Sequence, residues 1–390
     1  MTPATDVAIV LPDKMGGAMT IVANLLRYRS PDLCHYRAVL THNTLDVDAR
    51  STDPLSADRV EHFEYALPVE NIYAVAHRLQ RALGPGPGVL VCNDFVEMML
   101  LSIVDPGRTV VQILHGDYDY YYDLAVRHEP LVHAFVAYSR TVYDTLLARL
   151  PHRADSIFWL PYGVPIPPEA RLASDGPLRL VFVGRLDEHK GVFDLPEIDR
   201  LLKQLAVSAT WTIVGTGPAE AALRARWTAP DVRWTSAATP DAVRAILLEQ
   251  DVLVLPSRGE GLSVATVEAM SAGVVPVVSD LPSMVEIVDG VHAGLRAPVG
   301  DPVAFAQAIA TLGRDRDRLE TMSRAARQLA CERFDARDRA RAYQDLFARW
   351  RELYRPRPAV VPVPYGSRLD HPWIPNPLVR FVRTALRAAR

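Results

Sequence analysis

The sequence predicts two doubly wound α/β domains of the Rossmann type, each a parallel β-sheet covered by helices on both faces. Three observations support this prediction. The 390 residues, 49% of them hydrophobic, can bury more than one core, because single cores stop growing at about 250 to 300 residues. Short apolar runs alternate with helix-like segments, the pattern of parallel strands joined by helical crossovers. The alternation stops once, in a segment rich in proline and glycine, and then resumes.

The order of these runs gives the predicted domain limits. The first set of strands covers residues 7–11, 89–92, 110–114 and 135–138. Residues 161–177 contain five prolines and two glycines, which suits an interdomain linker. The second set covers residues 180–183, 212–214, 252–255 and 274–278, before helical segments at 302–312, 316–333 and 335–353. We expect an N-terminal domain at 1–165, a second domain at 176–335, a cleft between them, and a C-terminal segment at 336–390 that crosses back.

Composition excludes several classes of protein. The formal net charge of -3 gives no bulk attraction to phosphate polymers, so we expect no nucleic-acid partner. Three cysteines lie far apart and outside any metal-ligand spacing, which fits a reducing compartment. The apolar run at residues 7–11 is too short to cross a membrane, and no basic stretch precedes it. A cytoplasmic protein without a signal peptide is expected.

The most informative segment, residues 252–280, is predicted to form a strand, a loop, a helix and a second strand. The loop lies at the carboxyl end of its strand, where open α/β sheets bind ligands. Gly261 permits close backbone approach, and the amides of Leu262 and Ser263 at the helix start can hold a diphosphate. Glu268, about five residues into the helix, can reach a ribose diol. Glu260, at the mouth, can contact a transferred sugar.

For both glutamates the alternative is a solvated carboxylate that the helix dipole favours.

A second loop, in residues 178–195, supplies positive charge. A buried strand ends at Gly184, and Arg185 and Lys190 follow in the loop. One fork-shaped donor and one point charge can neutralise a leaving diphosphate without a metal. Lysine is scarce in this chain, with only three residues. The alternative is a surface ion pair with Asp187 or Glu188.

Two glycine turns follow other predicted strands. Gly16 and Gly17 come after the first strand, beside Lys14, and are expected to face the cleft. Gly215 and Gly217 resemble a dinucleotide fingerprint, but Glu220 occupies its third glycine position. They are interpreted as a plain strand-to-helix turn, which disfavours a nicotinamide dehydrogenase.

His115 ends the predicted strand at 110–114 and is a candidate to hydrogen-bond a sugar or its developing charge. Asp117 and Asp119 together form a D-x-D triplet, a pattern that can hold magnesium on a diphosphate. Because Arg185 and Lys190 already supply the positive charge, we expect no metal. The neighbouring tyrosines form either an acceptor platform or a packed loop: Tyr118, Tyr120, Tyr121 and Tyr122.

Taken in order, these motifs resemble family four of the retaining glycosyltransferases, which have the GT-B architecture. The matches span almost the whole chain: Gly16 and Gly17, His115 with Gly116, residues 160–164, 183–191 and 213–218, and the E-x7-E from Glu260 to Glu268. Two departures concern residues 232–240, where the family usually has a glycine before the loop that meets the base, and Arg258, at a place that is often uncharged.

The resemblance implies a metal-independent retaining transfer from a nucleotide diphosphate sugar, with no cofactor. It implies that Glu268 binds the ribose, Glu260 contacts the donor sugar, Arg185 and Lys190 bind the diphosphate, and His115 faces the sugar. The leaving phosphate itself is implied to help deprotonate the acceptor, whose identity stays open. Two alternatives remain, a sugar-nucleotide epimerase of the same fold and a non-catalytic sugar-nucleotide-binding subunit.

The tail beyond residue 354 is proline-rich and then predicted to be an amphipathic helix over residues 378–390. One face is apolar and the other basic: Leu378, Val382, Ala385, Leu386 and Ala389 lie opposite Arg380, Arg383, Arg387 and Arg390. The apolar face either packs on the N-terminal domain, since so short a helix is marginal alone, or lies on an anionic membrane at the inner face.

Overall fold

The computed structural model describes residues 4–14, 16–46, 50–51, 55–84, 86–236, 239–288 and 292–388. The chain divides into two compact units. Unit 1 comprises Met1–Tyr138, Val142–Leu160 and Ala340–Arg390, and unit 2 comprises Ser139–Thr141 and Pro161–Arg339. The domain limits expected from the sequence, 1–165 and 176–335, stay a prediction.

Unit 1 contains a parallel sheet of seven strands in the order β3-β2-β1-β4-β5-β6-β7. The strands are β1 (Thr5–Pro12), β2 (Cys34–Asn43), β3 (Arg59–Tyr65), β4 (Val89–Cys92), β5 (Thr109–Leu114), β6 (Ala134–Ala137) and β7 (Ile157–Trp159). The helices between them are α1 (Gly17–Arg27), α2 (Ile72–Leu83), α3 (Phe95–Ile103), α4 (Asp119–His128) and α5 (Arg140–Arg149). Its central strands are buried on both faces, as the near-continuous apolar runs predict.

Unit 2 contains a parallel sheet of six strands in the order β10-β9-β8-β11-β12-β13. The strands are β8 (Leu178–Val183), β9 (Ala209–Val214), β10 (Val232–Thr235), β11 (Val252–Leu255), β12 (Val275–Ser279) and β13 (Leu295–Ala297). The helices are α6 (Leu195–Gln204), α7 (Glu220–Arg226), α8 (Pro240–Leu247), α9 (Val264–Ser271), α10 (Pro282–Val288), α11 (Pro302–Arg314) and α12 (Arg316–Phe334). The predicted class, two doubly wound sheets, is confirmed.

All eight strands expected from apolar runs are present, and five further strands were missed. Four of these five lie at the edges of the two sheets, namely β3, β7, β10 and β13. An edge strand needs fewer apolar side chains, because one long side of it has no neighbouring strand and part of its surface faces water. The sequence of β3, RVEHFEY, illustrates this, with Arg59 and Glu64 exposed. The fifth, β2, is interior and mixes polar with apolar residues.

The proline-rich segment at 161–177 is more firmly held than a linker was expected to be. Tyr162 and Val164 are buried, and Arg171 forms an ion pair with Asp251 at 2.7 Å with both side chains buried. Arg179 of β8 adds a second pair to the same carboxylate. The segment is therefore part of unit 2, because a buried charge pair of this kind has to be kept in place by its hydrogen bonds.

The C-terminal segment returns to unit 1, as expected. After α13 (Ala336–Ala348) and α14 (Trp350–Leu353), residues 354–367 form no helix or strand. Val361, Val363 and Tyr365 pack against the core of unit 1. Arg357 donates to the carbonyl of Leu101 at 2.6 Å. The proline-rich stretch thus forms no regular element and lies along unit 1, and its extended conformation stays a prediction.

The final helix, α15 (Asn376–Ala388), is held on unit 1 mainly by polar contacts. The backbone amide of Asn71 donates to the side chain of Asn376 at 2.8 Å, and its side chain donates to the carbonyls of His371 and Ile374. The Arg383 guanidinium bonds the Glu70 carbonyl at 2.6 Å.

The predicted orientation of this helix was wrong in part. Arg383, assigned to the basic face, instead faces the protein beside Val379, while Leu378 and Leu386 of the apolar face are largely exposed. The physical reason is that Asp370 and the Glu70 carbonyl give Arg383 buried partners, so the arginine takes an inward position. Ala389 and Arg390, also part of that prediction, lie outside the described residues.

Candidate active site

The strand order of unit 2 reverses direction at β8, whose two neighbours are β9 and β11. This is the topological switch point, where the loops after adjacent strands diverge and open α/β sheets bind their ligands. The two loops singled out from the sequence, residues 184–191 after β8 and 256–263 after β11, follow these adjacent strands. The fold therefore brings together two motifs that are about 70 residues apart in the chain.

Glycine makes the close approach of these loops possible. Gly191 has φ +66°, and a Cβ built there would lie 1.9 Å from the carbonyl oxygen of Pro256. At Gly215, after β9, a Cβ would lie 1.9 Å from the carbonyl oxygen of Gly184. Any larger residue at either position would push the loops apart. The turn at Gly215 and Gly217 thus supports the switch-point loops and leads into α7.

Lys190 and Glu260 meet between the two loops. The Lys190 Nζ lies 2.5 Å from the Glu260 Oε1, and Ser257 donates its hydroxyl to the same oxygen at 2.8 Å. The Glu260 backbone carbonyl accepts from Ser283 at 2.9 Å. The Glu260 side chain is 7% exposed and that of Lys190 26%. Lys190 therefore forms an ion pair, as the alternative interpretation of the sequence expected, but its partner is Glu260 rather than Asp187 or Glu188.

The two arginines of these loops differ in their surroundings. Arg185 has a 60% exposed side chain whose Nε lies 3.4 Å from the Asp187 carboxylate, the surface pair that was the alternative interpretation. Arg258 makes a two-pronged contact with Asp194, at 2.6 and 2.9 Å. Because the Arg258 fork is occupied by that carboxylate, Arg185 is the more accessible guanidinium at this edge.

A hollow of about 420 Å³ lies at the same loops, lined by Glu188, His189, Gly191, Phe193 and Arg258. Helix α9 begins beside them. Ser263 is its N-cap and accepts from the Thr266 amide at 3.3 Å, and Leu262 and Ser263 are both buried. Glu268 is the fifth residue of α9 and is half-buried. Gly261 precedes the helix. The predicted loop, helix start and carboxylate are thus all neighbours along one edge of unit 2.

His115 lies in unit 1, at the carboxyl end of β5. Its Nε2 is 2.7 Å from the Asn93 Oδ1, and the Asn93 amide nitrogen donates to the Val10 carbonyl. Since Asn93 therefore presents its oxygen to the ring, Nε2 carries the proton and Nδ1 is an acceptor. Nδ1 has no hydrogen-bond partner within the described part of the chain.

The ring of His115 is enclosed by Tyr138 and Tyr121, at centroid distances of 5.1 and 6.2 Å. This burial lowers the pKa of His115 from 6.5 to about 3. His115 is therefore neutral at pH 7, and it can accept a hydrogen bond from a hydroxyl group but supplies no cation.

The aspartates of the D-x-D triplet have protein partners. Asp117 accepts from the Tyr122 hydroxyl at 2.6 Å, and Asp119 pairs with Arg149 at 2.7 Å. Among the described residues, no group of three or more metal-ligating side chains is close enough to hold an ion. Tyr122 is buried, whereas Tyr118 and Tyr120 are exposed. The tyrosine cluster is thus divided between packing and surface.

The glycine turn at Gly16 and Gly17 is exposed, with Gly16 as the N-cap of α1. It follows β1, which lies next to β4 at the switch point of unit 1. A small polar hollow of about 90 Å³ lies at these strand ends, with Asp13, Lys14 and Asp94 among its lining residues.

Sequence reasoning missed Asn93, Asp94 and Glu97, which follow β4. The amides of Asn93 and Asp94 both donate to the Glu97 Oε1 at 2.6 Å, and Asp94 caps α3. Burial raises the pKa of Glu97 to about 8. The signal was an acidic capping box, D-x-x-E, directly after a buried strand.

Comparison with known proteins finds sequence relatives over part of the chain. Residues 177–315 match the family described as glycosyl transferases group 1. The colanic acid biosynthesis glycosyltransferase WcaL of Salmonella typhimurium is 35% identical over 171 residues, which is 41% of this chain and 42% of that protein. The amylovoran biosynthesis glycosyltransferase AmsK of Erwinia amylovora is 34% identical over 140 residues, 33% of this chain and 34% of that protein. The chain thus spans less than half the length of these relatives.

Solved structures extend the likeness to the whole fold. The crystal structure of Anabaena HepE in complex with UDP and glucose matches with a TM-score of 0.71 and 17% identity, covering 88% of this chain and 99% of that chain. The protein has the two-domain GT-B fold, built from Rossmann-like units.

Proposed function

We propose that this protein is a retaining glycosyltransferase that moves a sugar from a nucleotide diphosphate donor to an acceptor hydroxyl without a metal ion. The observation that carries the proposal is the meeting of Lys190 and Glu260 at the switch point of unit 2, beside the start of α9. A cation, a carboxylate and a helix N-terminus at one edge suit a ligand with both a diphosphate and a sugar.

The roles in unit 2 follow from the chemistry of each group. The guanidinium of Arg185 and the ammonium of Lys190 bind the diphosphate, as do the amides of Leu262 and Ser263. Gly184 and Gly261 let the ligand approach the backbone closely. Glu268 accepts hydrogen bonds from the ribose hydroxyls, and Glu260 from the donor sugar.

In unit 1, His115 accepts a hydrogen bond from a hydroxyl of the transferred sugar through Nδ1. Gly16 and Gly17 contact the donor through their backbone. Unit 1 is proposed to bind the acceptor.

The transfer itself breaks the bond between the sugar's anomeric carbon and the diphosphate oxygen. A new bond forms from that carbon to the acceptor oxygen on the same face, so the configuration is retained. The acceptor proton passes to the leaving diphosphate, and Lys190 and Arg185 stabilise the negative charge that develops there.

The HepE crystal holds UDP and glucose, which makes UDP-sugars the first donors to test, before GDP- and ADP-sugars. The relatives act in polysaccharide biosynthesis by name, which supports a glycan or lipid-linked acceptor. No nucleic acid is proposed as a partner.

A cytoplasmic location is also part of the proposal, with a peripheral membrane contact through residues 378–390. In the described part of the chain, none of the helices is both long and apolar enough to cross a membrane.

A donor screen tests the proposal. Thermal shifts with UDP-, GDP- and ADP-sugars identify the base, because a ligand that binds only the folded state raises the melting temperature. The stabilising donor is then incubated with candidate acceptors, and the anomeric configuration of the product is read by NMR. Inverted product contradicts retention, and donor turnover in which the sugar is rearranged without an acceptor supports an epimerase instead.

A further inference from the structure

The C-terminal tail concentrates positive charge. Residues 354–390 contain seven arginines and one carboxylate, Asp370, in a chain whose formal net charge is -3. That carboxylate is paired with Arg383 at 2.5 Å. The remaining arginines leave the segment strongly cationic. A segment of this kind attracts an anionic surface that comes within about 10 Å, the Debye length at 0.1 M salt.

The same segment exposes large apolar side chains. Trp373 and Phe381 are each 73% exposed and Leu378 is 55% exposed, whereas Val379 on the opposite side of α15 is fully buried. These three exposed residues, Trp373 just before α15 and Leu378 and Phe381 within it, are called the outer face. Arg380 of α15 is also exposed and borders the outer face. Aromatic and leucine side chains bordered by arginines are typical of helices that lie in a membrane interface.

Beneath α15 is an apolar groove of about 490 Å³, called the tail groove. Its walls combine side chains from unit 1 with Leu386 of α15, among them Leu67, Val69, Ile72, Phe95 and Met99. The volume falls within the range of small-molecule sites, roughly 300 to 1,000 Å³. Because its lining is mostly hydrocarbon, the groove suits an apolar ligand.

One end of the tail groove is charged. Arg387 and Arg383 are among its lining residues. Arg383 is occupied by Asp370, whereas Arg387 forms no ion pair with any residue that the structure describes. Arg387 is therefore the guanidinium available to an anionic group at the groove, where it can bind a phosphate through two parallel hydrogen bonds.

We propose that the tail groove binds a hydrocarbon chain of an anionic phospholipid, with the lipid phosphate on Arg387, and that the outer face of α15 lies on the bilayer that supplies it. The inference deepens the peripheral membrane contact of the proposed function and rests on it. The charge of the tail selects an anionic headgroup, and the groove selects a chain. With 13 residues, α15 is too short to cross a bilayer, so it lies in the interface.

Phe95 separates the tail groove from the polar end of the sheet in unit 1. It lines the tail groove and also the small polar hollow at the ends of β1 and β4. A lipid chain in the groove therefore lies on one side of Phe95 and the polar strand ends of unit 1 on the other.

Binding of a soluble short-chain lipid tests the groove without a membrane. Dihexanoylphosphatidylglycerol, below its micelle concentration, is titrated into the full-length protein by calorimetry. We expect saturable binding that glycerol phosphate and inorganic phosphate do not reproduce, because neither has a chain. Dihexanoylphosphatidylcholine should bind more weakly. The proposal is overturned if the phosphatidylcholine binds with equal affinity, or if the phosphatidylglycerol shows no saturable binding.

Variants locate the site. Leu386→Asp places a charge in the groove wall at an exposed position, so the fold should survive, and we expect binding to be lost. Leu172→Asp makes the same change at a leucine of unit 2 that is 78% exposed and should have no effect. Arg387→Glu should weaken binding on the order of tenfold or more, since it removes the attraction of one basic residue for the anionic lipid and adds repulsion. Unchanged affinity in Leu386→Asp overturns the groove assignment.

Vesicles test the outer face separately. We expect co-sedimentation with phosphatidylglycerol vesicles, not with phosphatidylcholine vesicles, and loss of it in Phe381→Asp, whose side chain does not line the groove. A concentration-dependent dimer that Phe381→Asp dissolves, without vesicle binding, would instead make the outer face an interface between two copies. Neither assay uses sugar transfer, so failure here leaves the donor site untouched, and an inactive enzyme that still binds lipid would refute only the transferase.

Discussion

The Lys190 ammonium lies 2.5 Å from the Glu260 carboxylate although 70 residues separate them in the sequence. The adjacency of β8 and β11 produces this contact, since each residue belongs to the loop that follows one of these strands. The pair balances a nearly buried carboxylate and at the same time holds a cation at the ligand edge of the sheet.

Removal of the Lys190 charge is expected to slow turnover. Lys190→Ala should lower kcat by roughly 10² to 10³, the scale for deleting one preorganised group that stabilises developing charge. Steady-state kinetics with the donor identified by the thermal screen measure it. Lys203→Ala is the matched control, because Lys203 is half exposed on α6 and its partner Asp199 keeps hydrogen bonds from Trp211 and Trp227. Full activity in Lys190→Ala would leave the lysine a structural residue.

Glu268→Ala should mainly weaken donor binding. A carboxylate that holds the ribose acts in the ground state and the transition state alike, so the dissociation constant rises while kcat changes little. We expect a rise of about tenfold, the equivalent of 1.4 kcal/mol. Calorimetric titration with the nucleotide measures it, with Glu249→Ala, an exposed glutamate of unit 2, as control. Unchanged affinity in a folded variant would remove Glu268 from the site.

Activity is expected to persist in EDTA, because in the proposed site Arg185 and Lys190 neutralise the diphosphate. Asp117→Asn and Asp119→Asn should likewise keep most of the activity. Initial rates with and without chelator decide the point. Loss of activity in EDTA with recovery in magnesium or manganese would assign the D-x-D triplet to a metal.

Acid is expected to destabilise the fold partly through His115. The pKa of His115 is about 3 in the folded protein and near 6.5 when unfolded, so between these values the unfolded state binds the additional proton. The contribution is fully present above pH 6.5 and is lost as the pH falls towards 3.

Urea unfolding at a series of pH values measures this effect. His115→Asn should flatten the fall in unfolding free energy below pH 6.5. It should not abolish it, because burial also lowers the pKa of His128 and His133. A variant with the same pH slope as the wild type would show that His115 is protonated equally in both states.

Arg383→Ala should destabilise the packing of the tail on unit 1. Removing one partner of a buried ion pair costs about 3 to 5 kcal/mol, which corresponds to a fall in melting temperature on the order of 10 °C for a unit of 150 to 250 residues. Differential scanning calorimetry measures it. Arg380→Ala, at a 57% exposed arginine of the same helix, should have little effect. Equal melting temperatures for the two variants would contradict a structural role for the Arg383 pair with Asp370.

Much of the fold could be predicted from local sequence. Buried strands such as β4 and β11 are short runs of apolar residues with turn signals at their ends, so the side chains themselves predict that these strands are buried. Apolar runs do not predict edge strands such as β3, because a strand with a neighbour on only one side tolerates charged residues. The inward position of Arg383 could not be predicted either, since its partners Asp370 and Glu70 come close to it only in the folded chain.

The candidate donor site divides in the same way. The sequence by itself determined the residue types and their local context: a glycine loop and a helix start at Gly261 to Ser263, a carboxylate one turn further on at Glu268, and a rare lysine at position 190. Only the tertiary structure decided that Lys190 faces Glu260, because strand order depends on how the helices between the strands cross the sheet. The local periodicity of the sequence carries no information about the order of the strands. That order is set by how the helices pack on the two faces of the sheet.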